Sequence, residues 1–301
     1  MKRFLAICMA AALACAVPQM GYAAEENSVQ TTQEEITQEE ATQEEETATV
    51  ARTEYIPVLM YHHFILNEVE PRNGVTMSQN DLASQIQYFR EQGYKIISLE
   101  ELDKILTKSE KEWDKDGDNG LDLKIPYLCI TIDDGYFSTY LQAYPIFQQY
   151  QVPASVFGVT DAITNNTGLF KVSWSQANRM FRDGKVRFYN HTSNHVPASK
   201  TTTEEYIASV LEAEEALDTY LPPQRNRVKA LAYPNGQYTP EIQQALLDEG
   251  FSLMFTVEEG VINRDTERTA IPRIMVASGM SGEDVVQKIE QVAMRTMQVD
   301  E

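Results

Sequence analysis

A chain of 301 residues with 43% apolar side chains can bury a sizeable core, and its length suits one large domain or two modest ones. The formal net charge is −20, from 45 acidic and 25 basic residues, and no basic stretch exceeds a pair, which argues against a nucleic-acid partner. Of the three cysteines, Cys8 and Cys15 lie in the N-terminal apolar run and only Cys129 lies further on, so an internal disulfide framework is excluded once that run is removed.

The first 24 residues read as a secretory signal peptide of bacterial type: Lys2 and Arg3, an apolar run from residue 4 to 17, then the small-residue site Gly21-Tyr22-Ala23-Ala24. The run is too short for the roughly 20 residues of a spanning helix, so no transmembrane segment is expected and the mature protein should be secreted or extracytoplasmic. Residues 25–53 form an acidic linker in which Thr-Gln-Glu-Glu occurs three times. With few large apolar side chains and no helical or strand period, this stretch should be disordered.

From residue 54 to 298 a single domain is expected. Strand-like runs fall at 56–61, 94–99, 127–132, 154–159, 186–190, 230–233, 253–257 and 273–276. Helical patterns lie between them at 78–92, 139–150, 174–184, 203–221, 240–250 and 282–297. Thr239-Pro240-Glu241 reads as a cap followed by proline at the first helical position, and Gly250 as a stop. Strand–helix alternation repeated seven or eight times predicts an α/β fold with a parallel sheet, best closed as a distorted (β/α) barrel of seven or eight strands. The acidic turn at 108–124 mimics a calcium loop but fails the template, with Gly120 at position seven and Ile125 where a bidentate glutamate belongs. Cys129, inside an apolar strand, reads as a structural core residue.

Catalytic sites of such folds gather at the C-terminal ends of the strands, and the chemistry-bearing residues fall there. The four histidines form two clusters, His62-His63 and His191…His195, each directly after a predicted strand. A spacing of four would put His191 and His195 on one face of a helical turn, where they can share a metal ion. The adjacent Asp133 and Asp134 end another strand, and a carboxylate at such a place is either solvated or used. One aspartate added to the two histidines makes a three-ligand site with open positions, as in catalytic zinc centres. The same donor set also describes the facial triad of non-haem iron oxygenases.

The strand-end Thr131-Ile132-Asp133-Asp134-Gly135, the His191-Thr192-Ser193-Asn194-His195 that follows, and Ala232-Tyr233-Pro234-Asn235-Gly236 together resemble the NodB-type polysaccharide deacetylases, carbohydrate esterase family 4. Val58-Leu59-Met60-Tyr61-His62-His63 resembles the circularly permuted branch that includes the poly-β-1,6-N-acetylglucosamine deacetylases. What the resemblance implies is removal of acetyl groups from a glycan. Asp133 would be the catalytic base; Asp134, His191 and His195 would hold a divalent metal, zinc before cobalt, nickel or iron. The Tyr233 backbone N–H would stabilise the oxyanion. The sequence lacks the family's late histidine, so His62 takes the acid role, with His63 as its rival. It also lacks the arginine that precedes the Tyr-Pro motif, and Arg273 is the candidate to orient Asp133.

The expected substrate is an acetylated glycan, poly-β-1,6-N-acetylglucosamine or peptidoglycan, acted on by a monomer that gives acetate and a free amino sugar. An O-acetyl esterase acting on acetyl xylan and a non-catalytic glycan-binding barrel are the competing readings.

Overall fold

The computed structural model describes residues 50–66, 74–107, 124–164, 168–223 and 227–298. The expected signal peptide, the expected acidic linker up to residue 49 and residues 108–123 of the acidic turn therefore lie outside the described residues.

The apolar runs form strands. In chain order these are β1 (Val58–Tyr61), β2 (His63–Ile65), β3 (Thr76–Ser78), β4 (Lys95–Ile97), β5 (Tyr127–Asp134), β6 (Ala154–Gly158), β7 (Val186–Asn190), β8 (Ala230–Ala232), β9 (Leu253–Phe255) and β10 (Ile274–Met275). The helices are α1 (Gln79–Glu91), α2 (Leu99–Leu106), α3 (Tyr144–Tyr150), α4 (Trp174–Arg182), α5 (Thr203–Tyr220), α6 (Pro240–Asp248) and α7 (Gly282–Gln298). Their starts are chemically marked: Ser98, Ser173 and Thr202 close reciprocal capping boxes with Glu101, Gln176 and Glu205, which satisfies first-turn N–H groups that have no partner inside the helix.

Eight strands make one sheet of parallel pairs in the order β10-β1-β5-β6-β7-β8-β9, with β4 alongside the start of β5. The two ends of this path meet. Ile271 donates to the Met254 carbonyl at 2.8 Å and accepts from Thr256 N–H at 2.9 Å, while Val276 N–H reaches the Met60 carbonyl at 3.1 Å. The segment 271–276 thus joins β9 to β1 and curls the sheet into a barrel. Continuous apolar strands are what such a sheet requires, since both faces are covered. Along β5, Leu128, Ile130 and Ile132 pack among the helices, whereas Cys129 packs with Phe157, Tyr189 and Phe255 inside the barrel. Period-two alternation then puts Thr131 and Asp133 on that inner face, towards the C-terminal mouth.

Two local expectations are corrected. Helix α2 occupies residues assigned to a strand end and its sequel, because the Ser98 box starts a helix immediately after a three-residue strand. The helix expected over 139–150 opens with a π-helical turn, Thr139–Ala143, before α3. Arg52, placed in the linker by composition, donates to Glu290 at 2.9 Å through Nε and lies over the Tyr94 ring at 5.6 Å.

Candidate metal centre and active site

Asp134 ends β5 at φ 71°, in the left-handed region that side chains with a Cβ rarely occupy. Thr192 (63°), His195 (59°) and Asn235 (55°) share that conformation. Four of the six described non-glycine residues with positive φ therefore lie on three loops that leave β5, β7 and β8. Such backbone costs about 1–3 kcal/mol per residue and persists only where the surroundings impose it, most often at functional sites.

The surroundings that impose it are visible. The Asn190 side chain accepts from Thr192 N–H at 2.8 Å and donates to Val210 O and Glu214 Oε1 at 2.9 and 3.0 Å. Thr192 Oγ1 accepts from His195 N–H at 2.9 Å, and Ser193 N–H donates to Ser209. Helix α5 thus holds the loop from below. His191 and His195 do meet, with ring centroids 4.7 Å apart, but on this bent loop; the helical turn expected from their spacing does not form.

Asp134 Oδ1 lies 3.8 Å from His191 Nε2 and 3.5 Å from His195 Nε2. These separations are long for hydrogen bonds. They match two donors on one ion, since ligands at about 2.1 Å in tetrahedral arrangement stand roughly 3.4 Å apart. His191 Nδ1 lies 2.7 Å from the Ala232 carbonyl, so Nδ1 carries the proton and the Nε2 lone pair faces Asp134, the orientation a metal ligand needs. Burial is the largest influence on His191 and brings its pKa down to about 4, keeping the imidazole neutral. This donor set fits a divalent cation: the three residues' ligand atoms all lie within 4.8 Å of one another.

Asp133 has a different environment. Its carboxylate is buried and receives two bonds from the fully buried Arg273, Nη1 to Oδ1 at 2.8 Å and Nη2 to Oδ2 at 2.7 Å. Arg273 Nε donates to the Thr256 carbonyl at 2.8 Å and Nη1 also reaches Thr131 Oγ1 at 3.2 Å, so the guanidinium is fixed on three sides. Burial alone would raise the Asp133 pKa; Arg273, then His191 and His62, reverse this and hold it far below the carboxylate range. Beneath the pair, Phe157 stands 5.3 Å from Phe255 and 5.8 Å from Tyr189 between ring centroids, a dry floor.

The two N-terminal histidines part company. His62 acts electrostatically on Asp133, and its buried Nδ1 has no hydrogen-bond partner. His63 turns to Ser138 Oγ, 3.0 Å from its Nδ1, and meets the Tyr136 ring edge-on at 5.4 Å. Tyr136 itself is pushed up to about 12 by burial and by the Asp134 carboxylate, and Lys171 Nζ sits 3.6 Å above its ring.

Tyr233 does not fit the oxyanion role. Its N–H donates to the Phe255 carbonyl at 2.9 Å as part of the sheet, and its hydroxyl, in the core, donates to the Thr269 carbonyl at 3.0 Å. The next main-chain donor on that loop is Asn235, since Pro234 has none. Among the described residues nothing accepts from the Asn235 N–H. Its left-handed φ was not legible in the Pro-Asn-Gly string beyond the general tolerance of asparagine for that region.

The family model described as polysaccharide deacetylase matches residues 121–254, a span holding Asp133, Asp134, His191, His195 and Asn235. YxkH, a Bacillus subtilis protein named for the same family, is 26% identical over 227 residues, 75% of this chain and 73% of its own. The poly-β-1,6-N-acetyl-D-glucosamine N-deacetylase of Staphylococcus epidermidis is 26% identical over 215 residues, 67% of this chain and 68% of its own. The fold is similar to that of the Streptococcus pyogenes deacetylase PplD, with a TM-score of 0.67 at 24% identity, covering 81% of this chain and all of the other. Over residues 121–254 the chain thus carries a stretch that matches the polysaccharide deacetylase family.

Proposed function

We propose that the protein is a secreted, metal-dependent hydrolase that removes N-acetyl groups from an N-acetylglucosamine polymer, giving acetate and a free amino sugar. The observation that carries this reading is the division of labour between neighbouring carboxylates. Asp134 faces two histidines at ligand spacing, while Asp133 is clamped by Arg273 and kept ionised. Relatives named for poly-β-1,6-N-acetylglucosamine support that polymer as the substrate.

Asp134, His191 and His195 would hold the ion, for which zinc has the matching donor preference. When bound, the ion supplies Lewis acidity to the acetyl carbonyl and acidifies a water, as a base so strongly depressed as Asp133 requires. Asp133 takes the water's proton, its two oxygens oriented by the arginine fork. The Asn235 N–H is the main-chain donor for the charge that develops on the carbonyl oxygen, in place of Tyr233. His62 protonates the departing nitrogen: it lies within electrostatic reach of Asp133, and its unpartnered Nδ1 leaves the ring unanchored on that side. His63, tied to Ser138, serves as a packing neighbour.

Acetate release from a panel of poly-β-1,6-N-acetylglucosamine, peptidoglycan and acetyl xylan tests the assignment. Turnover of the first is expected to dominate. Release only from acetyl xylan would replace the amidase reading with an O-acetyl esterase.

A further inference from the structure

We propose that a groove on the outside of the barrel is a second glycan-binding site, which holds one stretch of the polymer while another stretch reacts. The inference rests on the polymer reading above.

The groove, of about 450 Å³, lies between α4 and the C-terminal end of α5 and is lined by Trp174, Asn178, Arg179, Arg182, Asp183 and Tyr220. Tyr220 is half exposed, an unusual position for so large a ring, and it stacks on Trp174 with centroids 4.7 Å apart and planes 19° from parallel. Trp174 in turn packs against the core. The outer ring is therefore fixed in place before any ligand arrives, and its π face is negative. The C–H bonds on one face of a pyranose carry the complementary partial charge.

The polar residues around this platform are oriented too. Arg182 Nε donates to Asn178 Oδ1 at 2.6 Å, Asn178 Nδ2 donates to the Tyr220 carbonyl at 3.1 Å, and Arg179 Nη1 donates to the Tyr140 hydroxyl at 3.3 Å. Asp183 accepts from Gln148 Nε2 at 2.7 Å and from the Tyr144 hydroxyl. Each guanidinium keeps N–H groups beyond these bonds. A rigid ring with fixed donors beside it suits the hydroxyl and amide oxygens of a neutral acetylated glycan.

The groove is also within reach of the reaction. Trp174 follows Lys171 by three residues, at most about 11 Å of chain. Lys171 is bridged to Tyr136, two residues from the metal-binding Asp134. One polymer of several sugar units can therefore occupy both places, and the gain is that of a tethered second contact.

The test compares the unmodified protein with Tyr220→Ala and Tyr220→Trp. Retardation is measured in native gels containing poly-β-1,6-N-acetylglucosamine, and acetate release is measured on that polymer and on a short oligosaccharide of the same linkage. Tyr220→Ala is expected to weaken retardation and raise KM for the polymer on the order of fivefold. The kcat and the oligosaccharide rates should stay unchanged, and Tyr220→Trp should restore both polymer readouts. Unaltered retardation in Tyr220→Ala, equal losses on polymer and oligosaccharide, or no retardation of the unmodified protein would each overturn the second site. Retardation that depends on Tyr220 without acetate release would instead leave the groove standing and remove the deacetylase reading.

Discussion

At the scale of single residues, the site depends on the different environments of side chains that are adjacent in sequence. Asp133 and Asp134 are both strand-end carboxylates, yet only the first meets Arg273. His62 and His63 divide in the same way, one beside Asp133 and one bound to Ser138. His62→Asn should therefore lower acetate release by roughly 10²–10⁴-fold, the usual contribution of a positioned acid. His63→Asn should lower it far less, and equal losses in steady-state assays would contradict the division. His191 makes a pH prediction for the metal-free protein. Its folded pKa lies below its unfolded value of 6.5, so the unfolded chain binds the proton that the folded chain refuses. The stability associated with this residue is complete above pH 6.5 and is lost as pH falls towards 4. Urea unfolding at pH 7 and pH 4.5 should show a smaller difference in His191→Gln than in the parent; an identical difference would refute it. The clustering of Asp134, His191 and His195 was legible in the sequence because histidines are scarce and sit after strands. The unpaired N–H of Asn235 was not, since whether an N–H is free depends on which carbonyl the neighbouring strand presents to Tyr233.

Among the elements, the loop after β8 is built around one glycine. Gly236 has φ 69°, and a Cβ there would stand 2.5 Å from Val257 Cγ2 and 2.8 Å from Val257 N. Gly236→Ala must strain the backbone and push on a main-chain atom, which cannot swing aside as a side-chain tip can. A loss of about 2 kcal/mol or more in unfolding free energy is expected, with reduced acetate release, because the same loop carries Asn235. A variant as stable and active as the parent would show that the loop is not held there. Strands and long helices were readable because apolar runs and caps agree with the final fold. Helix α2 was missed although Ser98 and Glu101 spell its cap, since the apolar run of β4 leads straight into Leu99. The short β2 and β3 pair, three residues each, have too little length to show a period.

For the whole molecule, the barrel's closing segment and the Asp133–Arg273 pair are one structure. Arg273 lies on the stretch that joins β9 to β1, and it bonds Thr256, Thr131 and Asp133 across the interior. Removing it leaves Asp133 buried and unpaired. Arg273→Ala should cost about 3–5 kcal/mol, as for other broken buried ion pairs, seen as a lower urea midpoint. Arg273→Lys should recover part of the stability but little activity, because an ammonium cannot hold both oxygens. Barrel architecture followed from strand–helix alternation alone. The closing strand was expected over 273–276; only Ile274–Met275 of that run forms β10, with Arg273 just before it.

The central claim is that Asp134 and Asp133 do different work, and metal content measured beside acetate release on the same purified variants tests it most directly. Asp134→Ala should lose both metal and activity, whereas Asp133→Asn should keep metal at the parental stoichiometry and lose acetate release. An Asp133→Asn enzyme that still turns over, or an Asp134→Ala enzyme that still binds its metal, would contradict the account.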